Sequence, residues 1–508
     1  MTTLPKSAHR GALTAGQQRE ANRFTAASAA LRRSKMWLAL LLGILFWFSV
    51  PYSLPRHQPN ANATVQEADN SEQFQGAISR QLAVPALALC ACFMLWRYPV
   101  RGVPGGRLLI LICVYVVWAL SSTAWSEDPS LTAKRLAVFA MDCFVTYALA
   151  RTLSTMEMAL GATIAMFVTG VFSVLADIFL IHSFNPADAD YRLQGVMTPN
   201  QQAMNLVACA LCCAALMLRR PRWVPWLSVI LLSTLAMLWI TRARIGTILC
   251  IVLLAIALNK LLRDRVRPHV RVGILLVLLS IVVPLLVFVV GNSGGDAAQT
   301  AFMMGRHDTE NTSNLSNRLP LWQELLDSVE ERPVLGYGYG AFWTEQRAAR
   351  ISHDQGWPVP HAHNTYLDQV IILGVVGGAL YLAIMVSALV VAWRRYLHLR
   401  SSSNLLNAML LTWLVLLSSS ESAPLDPHMP TMLVYIAVFR MCLREGSVDM
   451  ADPEPDRPIV EGIDAATFTV TQPAPAVSPV ARAGHGTGEH KVFPSRHASL
   501  LAAQRRPS

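Results

Sequence analysis

The side chains able to do chemistry stand in short polar clusters within a largely apolar chain of 508 residues. Arg192 lies in Asp190-Tyr191-Arg192-Leu193-Gln194-Gly195, just before Pro199-Asn200. Arg242 and Arg244 share the turn Thr241-Arg242-Ala243-Arg244, and Arg318 follows Asn317. His361 and His363 stand in His361-Ala362-His363-Asn364-Thr365-Tyr366, and Glu421 follows Ser418-Ser419-Ser420. Arginine presents a planar fork of donors that matches phosphate oxygens, so several arginines gathered on one face suit a phosphate or pyrophosphate group. A single arginine is explained as well by a lipid headgroup or by a carboxylate such as Asp188 or Asp190. Their gathering beside a histidine favours the anion-binding reading. His363 is the candidate general base, because an imidazole exchanges a proton near neutral pH. Its plain alternative is a helix cap. Asn364, Tyr366 and Glu421 are the supporting polar groups.

These clusters require a scaffold, and the composition says which kind. The chain is 53% hydrophobic and 15% charged, against about 25% charged residues in a soluble domain. Its apolar residues come in long runs, several near the ~20 residues that a helix needs to cross a bilayer. The reading is all-α: a polytopic membrane protein of about twelve transmembrane helices. The spans are Met36–Tyr52, Leu82–Trp96, Leu108–Ala124, Leu136–Ala150, Met158–Ile181, Ala203–Leu218, Trp223–Ile240, Ile245–Leu262, Val272–Gly291, Tyr366–Trp393, Leu405–Ser418 and Thr431–Cys442. Basic clusters at Arg97 to Arg107, Arg219 to Arg222, Arg263 to Arg271 and Arg394 to Arg400 mark cytoplasmic loops. Both termini are then cytoplasmic, and the polar clusters lie on the outer face of the membrane. Arginines on that face run against the positive-inside tendency, which is why they invite a functional reading.

The chain divides into a polar N-terminal tail, 1–35, a membrane domain, 36–443, and a C-terminal tail, 444–508, whose composition predicts disorder. The N-terminal tail is too long and polar ahead of the first apolar run for a cleavable signal peptide. A long outer loop, 292–365, interrupts the membrane domain. Within it Pro320 suits a first helical turn. Leu319, Trp322, Leu326 and Val329 recur at helical spacing opposite Glu324, Asp327 and Glu331, which predicts a short amphipathic helix. Pro333 and the run Gly336-Tyr337-Gly338-Tyr339-Gly340 end it; such a run permits close backbone approach.

Several function classes fall away. The net charge of +10 is accounted for by loop arginines, with no aromatic–basic platform for nucleic acid. The nine cysteines sit in or beside apolar runs, so no disulfide framework is read. Cys209, Cys212 and Cys213 read as packing residues before they read as metal ligands. No lysine–hydroxyl pair follows the glycine run, as a nucleotide loop would need. Asp142 and Asp177, inside apolar spans, keep a transporter in view, such as a flippase for lipid-linked oligosaccharide. Against it stand the one-sided distribution of polar groups and the absence of a recognisable repeat.

Taken in order, Arg192…Gly195…Pro199-Asn200, Thr241-Arg242-Ala243-Arg244, Asn317-Arg318…Trp322…Pro333…Gly336 to Phe342 and His361-Ala362-His363-Asn364-Thr365-Tyr366-Leu367…Gly374…Gly377 resemble the O-antigen ligase and polymerase superfamily. The stretch Gly336 to Trp343 looks most like its exopolysaccharide polymerase branch. The resemblance covers residues 36 to 443, with a core of about 190–380. It implies a metal-independent, inverting glycosyltransferase without cofactor, acting at the periplasmic face. The donor would be an oligosaccharide on undecaprenyl diphosphate; the acceptor would be a carrier-linked repeat unit in a polymerase, or lipid A–core in a ligase. A flippase and a chain-length regulator are the protein partners so implied. His363 would activate the acceptor hydroxyl. Arg244 and Arg318 would hold the diphosphate, with Arg192 as a further contact. Ala243 replaces the serine frequent in the family and Arg242 is extra, so either Arg242 or Arg244 could serve.

Overall fold

The computed structural model describes residue 43 and residues 78–98, 100, 102–186, 188, 191–265, 318–422 and 429–443. All of them belong to the unit Met1–Pro455. The described residues form helices joined by turns: α1 (Ile78–Arg97), α2 (Arg107–Ser121), α3 (Pro129–Thr152), α4 (Thr155–Phe179), α5 (Pro199–Arg219), α6 (Val224–Ile240), α7 (Arg244–Arg265), α8 (Arg318–Glu331), α9 (Glu345–Gln355), α10 (Thr365–Leu399), α11 (Ser402–Leu417) and α12 (Met429–Met441). Their starts are written in the sequence. Asp128, Ser154, Thr198, Thr344, Asn364 and Ser401 each accept a backbone N–H of the first turn they precede, which satisfies donors that a helix start otherwise leaves open. Ser154 and Glu157 complete a reciprocal capping box.

Six of these helices are long and apolar enough to cross a membrane: α2 with its following turn, α4, α5, α6 with its preceding turn, α7 and α10. The apolar parts of α1, α11 and α12 are shorter. α3 is long, but Lys134, Arg135, Asp142 and Arg151 interrupt it. The expectation of twelve spans is therefore met by six helices of full length and apolarity among the described residues. Span Met36–Tyr52, apart from Gly43, and span Val272–Gly291 lie outside those residues, as do both tails and the first part of the long loop, 292–317.

α5 is the centre of the bundle. Its membrane window is 83% buried, against 22% for α2 and for α6. It packs on α4, α6, α7 and α11. Cys209, Cys212 and Cys213 are buried here. Cys213 Sγ donates to the Leu227 carbonyl at 3.2 Å and Cys209 Sγ to that of Thr163 at 3.6 Å, as expected of small packing residues. Outward-facing Ile110 and Val117 on α2, Trp226 and Leu232 on α6, and Ile248 and Ile251 on α7 are exposed, which suits hydrocarbon as the solvent. Asp177, fully buried at the end of α4, accepts from Tyr191 Oη at 2.6 Å and from the Gly195 amide at 3.0 Å. It anchors the loop that carries Arg192, which gives one of the two intramembrane acids a local explanation.

α10 is broken at Gly374, whose φ of 70° and ψ of −179° are not helical. The break is filled by the glycine run. Tyr337 and Gly338 amides donate to the carbonyls of Ile371 and Ile372 at 3.0 and 2.9 Å, and the Val375 amide donates to Pro333 O at 2.8 Å. Trp118 Nε1 takes the Leu373 carbonyl at 3.0 Å. The backbone groups freed by the break are thus paired again inside the protein, the condition for irregular backbone within a membrane domain. Close approach is essential: a Cβ on Gly336 would lie 2.5 Å from Gly374 N, and one on Gly374 would lie 1.9 Å from Val334 O.

The amphipathic helix is present as α8, but its buried face is rotated from the expected one. Leu321 and Leu325 are fully buried, whereas Leu319 and Leu326 are exposed. The helix packs against α10 through Leu321, Trp322 and Leu325, so the tertiary contact, and not the widest apolar stripe, sets its roll. α9 was not legible: its sequence EQRAARISHDQ is polar, and only Ala348 and Ile351 are buried.

Gly374→Ala should lower stability in detergent by about 3 kcal/mol or more, since it combines αL strain with a backbone clash. Gly356→Ala, at φ 71° with nothing within 4 Å, should lose only about 1–2 kcal/mol. Thermal unfolding of the two purified variants checks the difference.

Candidate active site

The polar clusters meet where six helix ends converge: the end of α4 and start of α5, the end of α6 and start of α7, the start of α10 and end of α11. Glu421, just beyond α11, is the hub. Its Oε1 accepts from Arg318 Nη2 at 3.1 Å and from Asn200 Nδ2 at 2.9 Å. Its Oε2 lies 3.5 Å from His363 Nδ1. Arg318 Nη1 also donates to the Ser420 carbonyl. Asn200 passes the connection on, accepting from Arg192 Nη2 at 2.8 Å. Arg192 Nε donates to Thr241 O at 3.1 Å, and so ties in the turn that carries Arg242 and Arg244. Thus Arg192, Asn200, Arg318, His363 and Glu421 form one connected group.

Local backbone bonds fix the hub. Thr365 donates its amide to Ser418 O at 2.8 Å and its hydroxyl to Glu421 O at 2.7 Å. The Asn364 amide donates to Ser422 Oγ at 3.1 Å. Asn364 itself caps α10, taking the amides of Tyr366 and Leu367 at 3.0 and 3.2 Å. Burial pushes the Glu421 carboxyl up, but the hydrogen bond and charge of His363, with the charges of Arg318 and His361, outweigh it and hold the pKa at about 2. The carboxylate stays ionised beside Arg318.

His363 is held in the left-handed region at φ 50°, which is uncommon for a residue with a side chain and clusters at functional sites. Its amide donates to His361 Nδ1 at 3.3 Å. The ring lies 4.2 Å from that of His361 and 5.4 Å from that of Trp357, centroid to centroid. Nε2 is buried and has no hydrogen-bond partner among the described residues. The turn before it is pinned by Trp322 Nε1, which donates to Ala362 O at 2.9 Å, and by buried Asp368, whose Oδ1 accepts from Trp343 Nε1 at 2.8 Å and from the Ala362 amide at 3.3 Å.

Other expected residues fall elsewhere. Arg242, at φ 52°, donates to the Asp188 carbonyl at 2.7 Å, which fastens the neighbouring loop. Arg244 opens α7 and is half-buried, joined to the group through its turn. Tyr366 donates to Val415 O at 2.8 Å, so it braces α10 on α11. Sequence reasoning did not assign Asn200 or Asp368 to the site. The signals were slight: an amide in the first turn after Pro199, and an acid in an otherwise apolar helix shortly after His363.

Residues 227–382 match the family model of O-antigen ligase. Over that stretch the chain is similar to O-antigen ligases. The ligase match runs from α6 to the middle of α10 and contains Arg244, Arg318 and His363. Arg192 and Glu421 stand outside it yet touch its residues Thr241, Arg318 and His363, and Asn200, also outside, bridges the two. The match supports a membrane glycan-transferring activity of ligase or polymerase type. No curated protein matches the chain.

A carboxylate depressed from its ordinary value near 4.5 to about 2 stabilises the fold fully above about 4.5 and ceases to as pH falls through about 2. Wild type should therefore lose its stability advantage over Glu421→Gln across that window, and hold it at neutral pH. The advantage at neutral pH should be about 3 kcal/mol, the scale for removing one partner of a buried ion pair. Unfolding midpoints of both proteins from pH 7 to pH 2 measure this.

Proposed function

We propose that this protein is a periplasmic-face glycosyltransferase of the inner membrane that moves a glycan from undecaprenyl diphosphate to an acceptor hydroxyl. The observation that carries this reading is the His363–Glu421–Arg318 arrangement: a base with a carboxylate on one nitrogen, beside a guanidinium suited to phosphate. With Nδ1–H turned to Glu421, Nε2 keeps its lone pair for the acceptor proton, the logic of an oriented histidine base. The acceptor oxygen then bonds to the anomeric carbon as the bond from that carbon to the diphosphate oxygen breaks. Its electron pair leaves with undecaprenyl diphosphate. Arg318, with Arg192 and Arg244 as neighbours, faces the negative charge that develops there, where fixed cations shielded from water act most strongly. Attack opposite the leaving group inverts the anomeric centre, and no step requires a metal or cofactor.

Charge asymmetry supports the orientation. Arg97, Arg107, Arg151, Arg219, Arg263, Arg395 and Arg440 lie at helix ends away from the site, as positive-inside loops should. At that end Arg440 joins Thr155 and the Leu153 carbonyl, and Lys260 Nζ donates to Arg400 O at 2.8 Å.

Polymerisation of exopolysaccharide or O-antigen repeat units is the preferred reaction, with ligation to lipid A–core as the alternative. The glycine run that resembles the polymerase branch pairs with the α10 break, so its need is explained by folding in either reaction. A strain lacking the gene decides: loss of long-chain polymer with capped lipopolysaccharide intact marks a polymerase, whereas loss of O-antigen from lipid A–core marks a ligase. In complementation, His363→Ala should abolish product while inserting normally. Arg318→Lys should reduce it at least ~100-fold, because lysine lacks the bidentate fork. Wild-type product from His363→Ala would end the general-base assignment.

A further inference from the structure

α9 and the turn after it have no role in the mechanism above, yet they are built with care. Thr344 caps the helix, and Gly356 at φ 71° ends it. Ser352 Oγ then accepts the Val359 amide at 2.9 Å, which closes the turn over 356–359. The product of this construction is the placement of one side chain, Trp357, against the base: its ring lies 5.4 Å from the His363 ring, tilted by 42°. Among the described residues, Trp357 Nε1 is buried and has no hydrogen-bond partner, and the same holds for both nitrogens of His363, of which Nδ1 lies 3.5 Å from Glu421 Oε2 and Nε2 has no charged group opposite it. Trp322 and Trp343, by contrast, both spend their indole N–H groups on the protein, at Ala362 O and Asp368 Oδ1.

Two buried polar atoms left open on adjoining rings call for a ligand, since such atoms are otherwise nearly always paired. Their chemistry is complementary. The indole N–H only donates. Nε2 of a histidine whose Nδ1–H faces Glu421 only accepts. A hydroxyl both accepts and donates, so one sugar hydroxyl can satisfy both, and the indole face offers the apolar surface on which a pyranose ring stacks. We propose that Trp357 is an acceptor-binding residue, its indole N–H holding the oxygen of the acceptor hydroxyl whose proton passes to His363 Nε2. This rests on the glycosyltransferase reading and assigns the acceptor side of the same site, away from the arginines that face the diphosphate.

The test uses the full-length protein in detergent, with radiolabelled undecaprenyl diphosphate-linked repeat unit as donor. The acceptor is unlabelled repeat unit on the same carrier, or purified lipid A–core, whichever wild type accepts, varied at saturating donor. Trp357→Phe keeps the ring and removes the donor. Its acceptor KM should rise about tenfold, the scale of one lost hydrogen bond, with kcat within about threefold and donor KM unchanged. Trp357→His, which keeps a ring N–H, should recover most of the loss. An unchanged acceptor KM in Trp357→Phe, or a loss confined to kcat, or equal loss in the Phe and His variants, overturns the assignment. Wild type that uses neither acceptor overturns the glycosyltransferase reading and this inference with it, whereas transfer by wild type with no effect at Trp357 overturns the inference alone.

Discussion

The site depends on one carboxylate held between cations at the end of a membrane bundle. Glu421 cannot be left there alone, because a charge removed from water must be paired and hydrogen-bonded to persist. Arg318 and Asn200 on one oxygen, and His363 opposite the other, meet that demand. In meeting it they become fixed themselves. The same constraint draws in α5, α8, α10 and α11, each of which contributes or abuts a member. His363 and the Arg318 guanidinium are thereby held against the two oxygens of one carboxylate.

The second constraint lies in α10. A straight helix would give His363 at its start no relation to the loop after α8. The break at Gly374 lets residues 333–338 pair with the helix, and this ties α8 and the glycine run to the element that carries the base. Arg135 fastens the far side of that run through the Gly340 and Trp343 carbonyls, and Glu127 pairs with Arg332 and Arg347 at 3.2 and 3.0 Å. Tyr337 stands between those two arginines, its hydroxyl on Glu331 Oε2 at 2.5 Å. Polar groups therefore hold the outer loop onto the bundle, while apolar burial holds the bundle.

Much of this was legible in the residues. Apolar run length gave the helices, because that signal is local; the equally local caps at Ser154 and Asn364 emerged only with the fold. His363, Arg192 and Glu421 were marked as polar groups near the ends of apolar runs, and Arg318 as the residue that opens the amphipathic helix. What the sequence concealed is long-range. Asn200 and Glu421 are far apart in the chain, so the bridge between Arg192 and Glu421 exists only after folding. Arg242 has the same type as Arg244, yet it turns to a backbone carbonyl of the neighbouring loop. The roll of α8 was misjudged because Leu319 and Leu326 are as apolar as Leu321 and Leu325, and only the position of α10 distinguishes them. α9 escaped notice because few of its residues are buried.

On the proposed mechanism Glu421 acts through His363 and not beside it. A double-mutant cycle measures this directly. Single-turnover transfer from labelled lipid-linked donor would be followed in wild type, Glu421→Gln, His363→Gln and the double variant, with long incubations to register slow rates. Glu421→Gln should slow transfer in the wild-type background and add no further loss once His363 is gone. Losses that multiply in the double variant would show two independent roles and contradict it.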